Sequence, residues 1–547
     1  MRRVIRVSPG GRPVSATEWN RVNSIKETES LCPECLRVVP ATIYEEGGRV
    51  YITKTCPEHG AFSDLYWGDY AQYLRAMEHE HLGTRLDNPR TESRRGCPFD
   101  CGICPEHESS TVLGIIDVTN RCNLRCPICF AHAGAAGYLY EPTLEQIREM
   151  MANLLSNSPV GAPALQLSGG EPTVREDLPE IVRMAREAGF GHVEVNSNGI
   201  RMAESVDYCK ELKEAGVATV YLQFDGVTSE PYIRARGHDL LPIKVRALEN
   251  LRAAGFRSVA LVPVLVKGVN DDQIGGIIRF AIEHKDIVRC INFQPVSFVG
   301  RIDRREREEM RITIPDLMRL AEEQTDGLIR QTDWYPVPTV QPLTAFARNM
   351  TGRGFVDFAA HPHCGMATYL VLDGDGVDPI HEYIDVERFL ASLEDANAEL
   401  ERGHRTRAKM AVALASLRNV DLGMFRRHLL PVLMKGDYDS LGSLHHRMIM
   451  IGAMHFQDPY NFDLERVRRC VIHYATPDGR IIPFCTMNNI HRRSVESKFA
   501  VPLGEGPSTP LYDVKSFVER IRRGQSEAVD LPQMLLHDQI MPKSATD

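Results

Sequence analysis

Between residues 112 and 310, short apolar runs that end in glycine or polar residues alternate with helical patterns, and this alternation limits the fold more than any other feature of the chain. The runs are Val112 to Val118, Leu165 to Leu167, His192 to Val195, Thr219 to Phe224, Val259 to Val266 and Cys290 to Phe293. Helical patterns such as Leu178 to Ala188, Ser205 to Ala215 and Leu241 to Ala254 separate them. Strands alternating with helices imply βαβ units and a parallel sheet, here about six repeats curling into a partial (β/α)6 barrel of the α/β class. In such folds ligands sit at the carboxyl ends of the strands. At those ends stand Gly169-Gly170-Glu171-Pro172-Thr173, Asn196-Ser197-Asn198-Gly199, Asp225-Gly226, Lys267-Gly268 and Gln294-Pro295-Val296-Ser297.

The first run leads into Cys122-Asn123-Leu124-Arg125-Cys126-Pro127-Ile128-Cys129, three thiols at C-x-x-x-C-x-x-C spacing. A cubane iron–sulfur cluster usually takes four thiolates, so a loop offering three suits a cluster with one iron left for something other than protein. Spacing alone also admits a structural zinc site or an electron-transfer cluster. The following segments decide between them. The glycines of Gly169-Gly170 let backbone approach a ligand, whereas an ordinary strand-to-helix turn explains neither Glu171 nor Pro172.

The cysteine loop together with Gly169-Gly170-Glu171-Pro172 resembles the radical S-adenosylmethionine (SAM) enzymes, over residues 112 to 310. The resemblance implies that Cys122, Cys126 and Cys129 bind a [4Fe–4S] cluster whose open iron takes the methionine end of SAM. It implies that Gly169, Gly170 and Glu171 hold the SAM amino group, and that Ser197, Asn198 and Asp225 also face the cofactor. Reductive cleavage of SAM would then give a 5′-deoxyadenosyl radical, with the difficult chemistry carried by the cofactor. A ferredoxin- or flavodoxin-like reductant is the expected partner.

At 547 residues the chain exceeds one core, and four segments are expected: 1–92, 93–111, 112–330 and 331–547. The net charge of −9 is mixed along the chain and gives no basic face for nucleic acid. No apolar run reaches the roughly 20 residues of a membrane span, and Met1-Arg2-Arg3 leads into polar sequence rather than a signal peptide. Fourteen cysteines, several at metal spacings, suit a reducing compartment better than a disulfide framework, so the expected location is cytoplasmic.

Cys32-Pro33-Glu34-Cys35 and Cys56-Pro57-Glu58-His59 form two knuckles, separated by an alternating segment, Val38 to Thr55, that reads as a β-hairpin around Gly47-Gly48. Cys32, Cys35, Cys56 and His59 would close a tetrahedral site for zinc or a single iron, with His59 the weakest of the four. Cys97, Cys101 and Cys104 repeat the C-x-x-x-C-x-x-C spacing without a strand before them or a helix after them, and read as an auxiliary cluster. Further on, Pro477-Asp478-Gly479-Arg480 is a hairpin turn that would draw Cys470 and Cys485 together. With Cys364 they would hold another cluster, or the three are separate structural cysteines. Cys209 and Cys290 read as core.

Phe425 to Phe456 mixes apolar residues with Arg426, Arg427, His428, Lys435, His445, His446 and Arg447. Its runs Leu429 to Met434 and Met448 to Met454 would line an apolar tunnel, lie against a membrane surface as a peripheral contact, or form ordinary core. The order of ribbon, second cysteine triplet, SAM loop and C-terminal hairpin resembles the tetraether lipid synthases and related pterin methylases. Particularly similar are Cys56-Pro57-Glu58-His59-Gly60, Cys97 to Cys104 and Asp117-Val118-Thr119-Asn120-Arg121-Cys122-Asn123-Leu124. The resemblance implies either carbon–carbon coupling of lipid chain termini, the reading preferred here, or methylation of a pterin precursor. A multi-cluster electron carrier without SAM chemistry is the alternative of another class, and the Gly169-Gly170-Glu171 and Asn196-Ser197-Asn198 segments argue against it.

Overall fold

A computed structural model describes residues 24–373, 376–421, 423, 447–502 and 509–523. Met1 to Arg3 and the stretch Phe425 to His446, with its Leu429 to Met434 run, lie outside the described residues.

The first unit is a four-stranded antiparallel meander of β1 (Ser24–Leu31), β2 (Val38–Glu46), β3 (Arg49–Cys56) and β4 (Gly60–Trp67). Gly47 and Gly48 turn β2 into β3 with φ of +62° and +77°, the left-handed pair that a two-residue hairpin needs. The meander is bolted to the segment 459–465. Lys26 pairs with Glu465 at 2.5 Å, Thr28 Oγ1 donates to Asp463 at 2.6 Å, and Tyr66 OH donates to Asp463 at 2.9 Å. Lys54 donates to Ser30 Oγ and to the carbonyls of Pro459 and Tyr460.

Among the described residues the main sheet carries thirteen strands. In chain order the elements are β5 (Leu113–Thr119), the outlying β6 (Tyr138–Leu139), β7 (Ala164–Gly169), β8 (His192–Ser197), β9 (Thr219–Gln223), β10 (Val259–Val262), β11 (Val264–Leu265), β12 (Val288–Pro295), β13 (Tyr335–Pro336), β14 (Gly365–Asp373), β15 (Gly376–Pro379), β16 (Met448–Met454), β17 (Ile472–Ala475) and β18 (Ile481–Pro483). A last strand, β19 (Val501–Pro502), pairs only with β6. The expected six strands β5, β7, β8, β9, β10 and β12 lie side by side and parallel. The Val259 to Val266 run is two strands rather than one, broken at Pro263, which has no N–H to give.

The sheet does not stop at the expected boundary near residue 330. β16 joins β12 in parallel with Cys290 opposite Met450, and β17 joins β5 in parallel with Leu113 opposite Ile472. Eight parallel strands therefore run in the order β17, β5, β7, β8, β9, β10, β12, β16. Antiparallel β18 and β14 follow at the two ends, and among the described residues the sheet stays open. Met448 to Met454 is a sheet strand, with Ile449 and Ile451 fully buried, and not a membrane-facing surface. No helix among the described residues is long and apolar enough to cross a membrane.

Ile116, Val118, Leu165, Leu167, Val193, Val195, Val220, Leu222, Leu261 and Ile291 are fully buried, as strands covered by helices require. The helices Leu178–Ala188 and Val206–Ala215 end at left-handed Gly189 and Gly216. Cys209 is buried in this core, and Cys290 is buried on β12.

Candidate functional site

β5 ends at Thr119 and the chain enters the cysteine loop. Asn120 shapes its entrance: the Asn120 side chain donates to the Tyr138 carbonyl and accepts from Tyr140 N, and its carbonyl takes Gly134 N. Elements far along the chain pin the rest. Ile128 N donates to the Ala235 carbonyl at 3.2 Å, and Arg301 N to the Cys129 carbonyl at 3.0 Å. Asn198 Nδ2 reaches Asn123 Oδ1 at 2.8 Å. Cys122, Cys126 and Cys129 line one central cavity together with Gly169, Gly170 and Glu171. Burial pushes the Cys122 and Cys126 thiols up, and beside Cys126 the Arg236 charge works against that push.

The two glycines lie against the loop's entrance. A Cβ on Gly169, whose φ is +131°, would stand 2.1 Å from the Thr119 carbonyl oxygen, and one on Gly170 would stand 2.1 Å from that of Arg121. Glu171 is buried, and its carboxylate is already occupied. It accepts from Thr173 N and Oγ1 at 3.2 and 2.6 Å, from Ser197 Oγ at 2.7 Å and from Asn198 N at 2.7 Å. Burial raises the Glu171 carboxyl, and these donors oppose it. The geometry makes Glu171 the organiser of Ser197 and Asn198, both of which line the cavity.

Asp225 is fully buried and held by Arg236 through two parallel bonds of 2.7 and 2.8 Å. The remaining guanidinium nitrogen donates to the Ile128 carbonyl inside the cysteine loop at 2.9 Å. Lys244 donates to the Asn198 carbonyl at 2.5 Å and to Gln223 Oε1 at 2.7 Å, and burial pushes its ammonium down to about 7 against the pull of Asp225. Neither Arg236 nor Lys244 was indicated by the sequence pattern; each sits on a helix among ordinary charged residues.

The cavity wall has two characters. From the parallel strands come amides and a phenol: Gln166, Asn196, Tyr221, Gln223 and Gln294. From β16 and the β17–β18 hairpin come Met454, Phe456, Ile472 and Phe484, with the Phe456 and Phe484 rings stacked at 3.9 Å. Cys485 lines the same cavity. Lys267, at the end of β11, is exposed and does not line it.

The other cysteines fall into three groups. Cys32 Sγ lies 3.6 Å from His59 Nδ1, Cys56 Sγ 3.5 Å from the same atom, and Cys35 Sγ 3.9 Å from Cys56 Sγ. Tetrahedral zinc with bonds of about 2.3 Å to sulfur and 2.0 Å to nitrogen calls for sulfur–sulfur and sulfur–nitrogen edges near 3.8 and 3.5 Å, so the four donors fit such an ion and His59 fits as a direct ligand. Cys97, Cys101 and Cys104 share a small second cavity, and no strand leads into it. Cys364 lies on the turn Pro362–Cys364, and Cys470 and Cys485 flank the β17–β18 hairpin; burial pushes the Cys470 thiol up, and the neighbouring Cys485 and Cys364 add to that push. N–H groups already point at this set: Arg466 Nε at Cys364 Sγ, and Gln457 N at Cys485 Sγ, each at 3.4 Å. Donors to sulfur are what a set of cluster thiolates calls for.

Comparison with known proteins agrees with this geometry. A family described as the Radical SAM superfamily matches residues 116–281, and one described as the HMPTM N-terminal zinc ribbon domain matches residues 24–68. Over 491 residues the chain is 50% identical to a 7,8-dihydro-6-hydroxymethylpterin dimethyltransferase of Methanocaldococcus jannaschii, spanning 88% of this chain and 96% of that one. A GTP 3′,8-cyclase of Limosilactobacillus fermentum is 31% identical over 185 residues, which are 33% of this chain and 54% of the relative. Among solved structures, Streptococcus suis SuiB bound to S-adenosylmethionine shares 18% identity at a TM-score of 0.33, over 40% of this chain and 48% of that one.

Proposed function

The chain is a radical SAM enzyme and belongs to the family of the pterin dimethyltransferase to which it is 50% identical over 491 residues, and from there we propose that it methylates a reduced pterin carrying a hydroxymethyl group. The observation that carries this reading is the 50% identity over 96% of that relative. The preference for lipid-chain coupling drawn from the sequence finds no support in the comparisons, which favour its alternative. The amides and phenol on the parallel strands suit the hydrogen-bonding edge of a heterocycle, and the Phe456–Phe484 pair offers a face for its ring.

In this reading Cys122, Cys126 and Cys129 hold three irons of the SAM cluster, and Gly169, Gly170, Ser197 and Asn198 hold SAM. The bound pair supplies a hydrogen-abstracting radical by one-electron cleavage of SAM. Glu171 fixes Ser197 and Asn198. Arg236 holds the loop through the Ile128 carbonyl and neutralises Asp225, so that an unpaired carboxylate does not face the thiolates. Cys32, Cys35, Cys56 and His59 hold zinc; Cys97, Cys101 and Cys104 hold one auxiliary cluster, and Cys364, Cys470 and Cys485 another, at the cavity wall. Iron and sulfide analysis of single-cysteine variants tests these assignments.

The substrate is tested by anaerobic reconstitution with dithionite, methyl-labelled SAM and reduced 6-hydroxymethylpterin. A pterin that gains labelled methyl groups by mass spectrometry supports the proposal. Formation of 5′-deoxyadenosine with no change in the pterin overturns the substrate, and no SAM-dependent product overturns the enzymatic site. The apolar wall of Met454, Ile472 and Phe484 favours one second reading, a long alkyl chain, so an isoprenoid lipid belongs in a parallel reaction.

A further inference from the structure

The cavity shared by Cys97, Cys101 and Cys104 has three polar neighbours besides the thiols: Glu106, His107 and Arg468. Arg468 is a cation, and it leans toward Glu29 at 3.3 Å. Glu106 is part-exposed and accepts from Ser93 Oγ. His107 differs from both. It is buried, and its backbone N–H donates to the Cys104 carbonyl at 3.0 Å, so the ring hangs from the same turn as the third cysteine.

One ring nitrogen is committed. Nε2 lies 2.9 Å from the Cys470 carbonyl oxygen, 3.1 Å from Ser109 Oγ and 3.1 Å from His473 Nε2. A carbonyl only accepts, so Nε2 carries the proton and Nδ1 carries the lone pair. Among the described residues the ring's hydrogen bonds all fall on Nε2. An imidazole that donates one N–H to a backbone carbonyl and leaves the other nitrogen bare is arranged as a metal ligand usually is. It also stands beside three thiols that lack a fourth.

We propose that Nδ1 of His107 is the fourth protein ligand of the cluster held by Cys97, Cys101 and Cys104. The assignment rests on reading those cysteines as cluster ligands. It has a structural corollary: the hydrogen bond that fixes the imidazole ends on the carbonyl of Cys470, so one N–H···O contact separates the ligand sphere of the outer set from a cysteine of the set at the cavity wall.

The test uses the full chain, labelled with 15N-histidine, reconstituted anaerobically, reduced, and measured by pulsed electron paramagnetic resonance alongside iron analysis. The expected result is a directly coupled 15N in one cluster signal, lost in His107→Cys with iron per chain unchanged and with a lower midpoint potential for that cluster, because a thiolate replaces a neutral imidazole. A coupling that survives in His107→Cys, or a wild-type protein with full iron and no such coupling, overturns the assignment. A Cys97→Ala, Cys101→Ala double variant with iron content unchanged sinks the cluster reading, and the ligand with it. Iron lost in the double variant while the coupling is absent from wild type leaves the cluster in place and removes His107 alone.

Discussion

Arg236 grips the buried carboxylate of Asp225 with two nitrogens and the Ile128 carbonyl with the third, so one side chain joins the end of β9 to the middle of the cysteine loop. The fork geometry matters, because a lysine offers one charged point where the arginine offers three directed donors.

Arg236→Met is therefore expected to strip the buried Asp225 carboxylate of its paired cation, leaving it the Gln223 and Val264 N–H donors, at a cost of about 3–5 kcal/mol. Arg236→Lys keeps the charge and loses the grip on Ile128. It should unfold closer to wild type in urea, yet retain less iron on gel filtration. Equal iron retention by Arg236→Lys and wild type would show that the arginine is only a counter-ion.

Gly170→Ala places a methyl 2.1 Å from the Arg121 carbonyl, which is backbone and cannot swing away. Loss of several kcal/mol or failure to fold is expected, in line with overpacking costs of about 1–3 kcal/mol where neighbours can yield. Gly189→Ala is the control. Nothing lies within 4 Å of its Cβ, and only its φ of +109° is strained, so about 1 kcal/mol is expected. Urea denaturation of both variants reads the difference, and equal midpoints would contradict the close-approach argument.

For the ribbon, Cys56→Ser should release about one metal ion per chain and leave the iron of the SAM cluster in place. His59→Cys should keep the metal, since thiolate and imidazole serve a tetrahedral site alike. Elemental analysis of the purified variants decides; a His59→Cys protein without metal would mean the imidazole does more than ligate.

Lys54 gives a pH signature. Burial pushes its ammonium down to about 7, whereas in the unfolded chain it titrates near 10.4. Between those values the unfolded state binds a proton that the folded state lacks, so the unfolding free energy rises with pH, by at most about 1.4 kcal/mol per unit. Below about 7 both states are protonated and the slope from this group vanishes. Urea titrations of wild type and Lys54→Met from pH 7 to 9 should differ by that slope, and parallel curves would show that the three acceptors around Lys54 keep it charged.

Much of the parallel sheet was legible because its elements are local. The helix read at Leu178 to Ala188 is found with those bounds, and the Asp478-Gly479 turn does join β17 to β18. Sheet order was not legible. Cys290 faces Met450 across 160 residues and Leu113 faces Ile472 across a still longer span, and no spacing in the sequence says which apolar run pairs with which. The same holds for the site. Cysteines at fixed spacing announce themselves, whereas Arg236, Lys244 and His107 acquire meaning only from carbonyls that the fold brings to them.

Both flanks of the parallel sheet arrive late. β16 and β17 come from residues beyond 447, and Tyr512 N still has to reach the Asn123 carbonyl. During synthesis the cysteine loop emerges from the ribosome hundreds of residues before the apolar wall of Met454, Phe456, Ile472 and Phe484 does, so it must wait half enclosed while the rest of the chain is made. Iron delivered in that interval would meet an open loop rather than a cavity, and timing of delivery becomes a condition for loading the protein correctly.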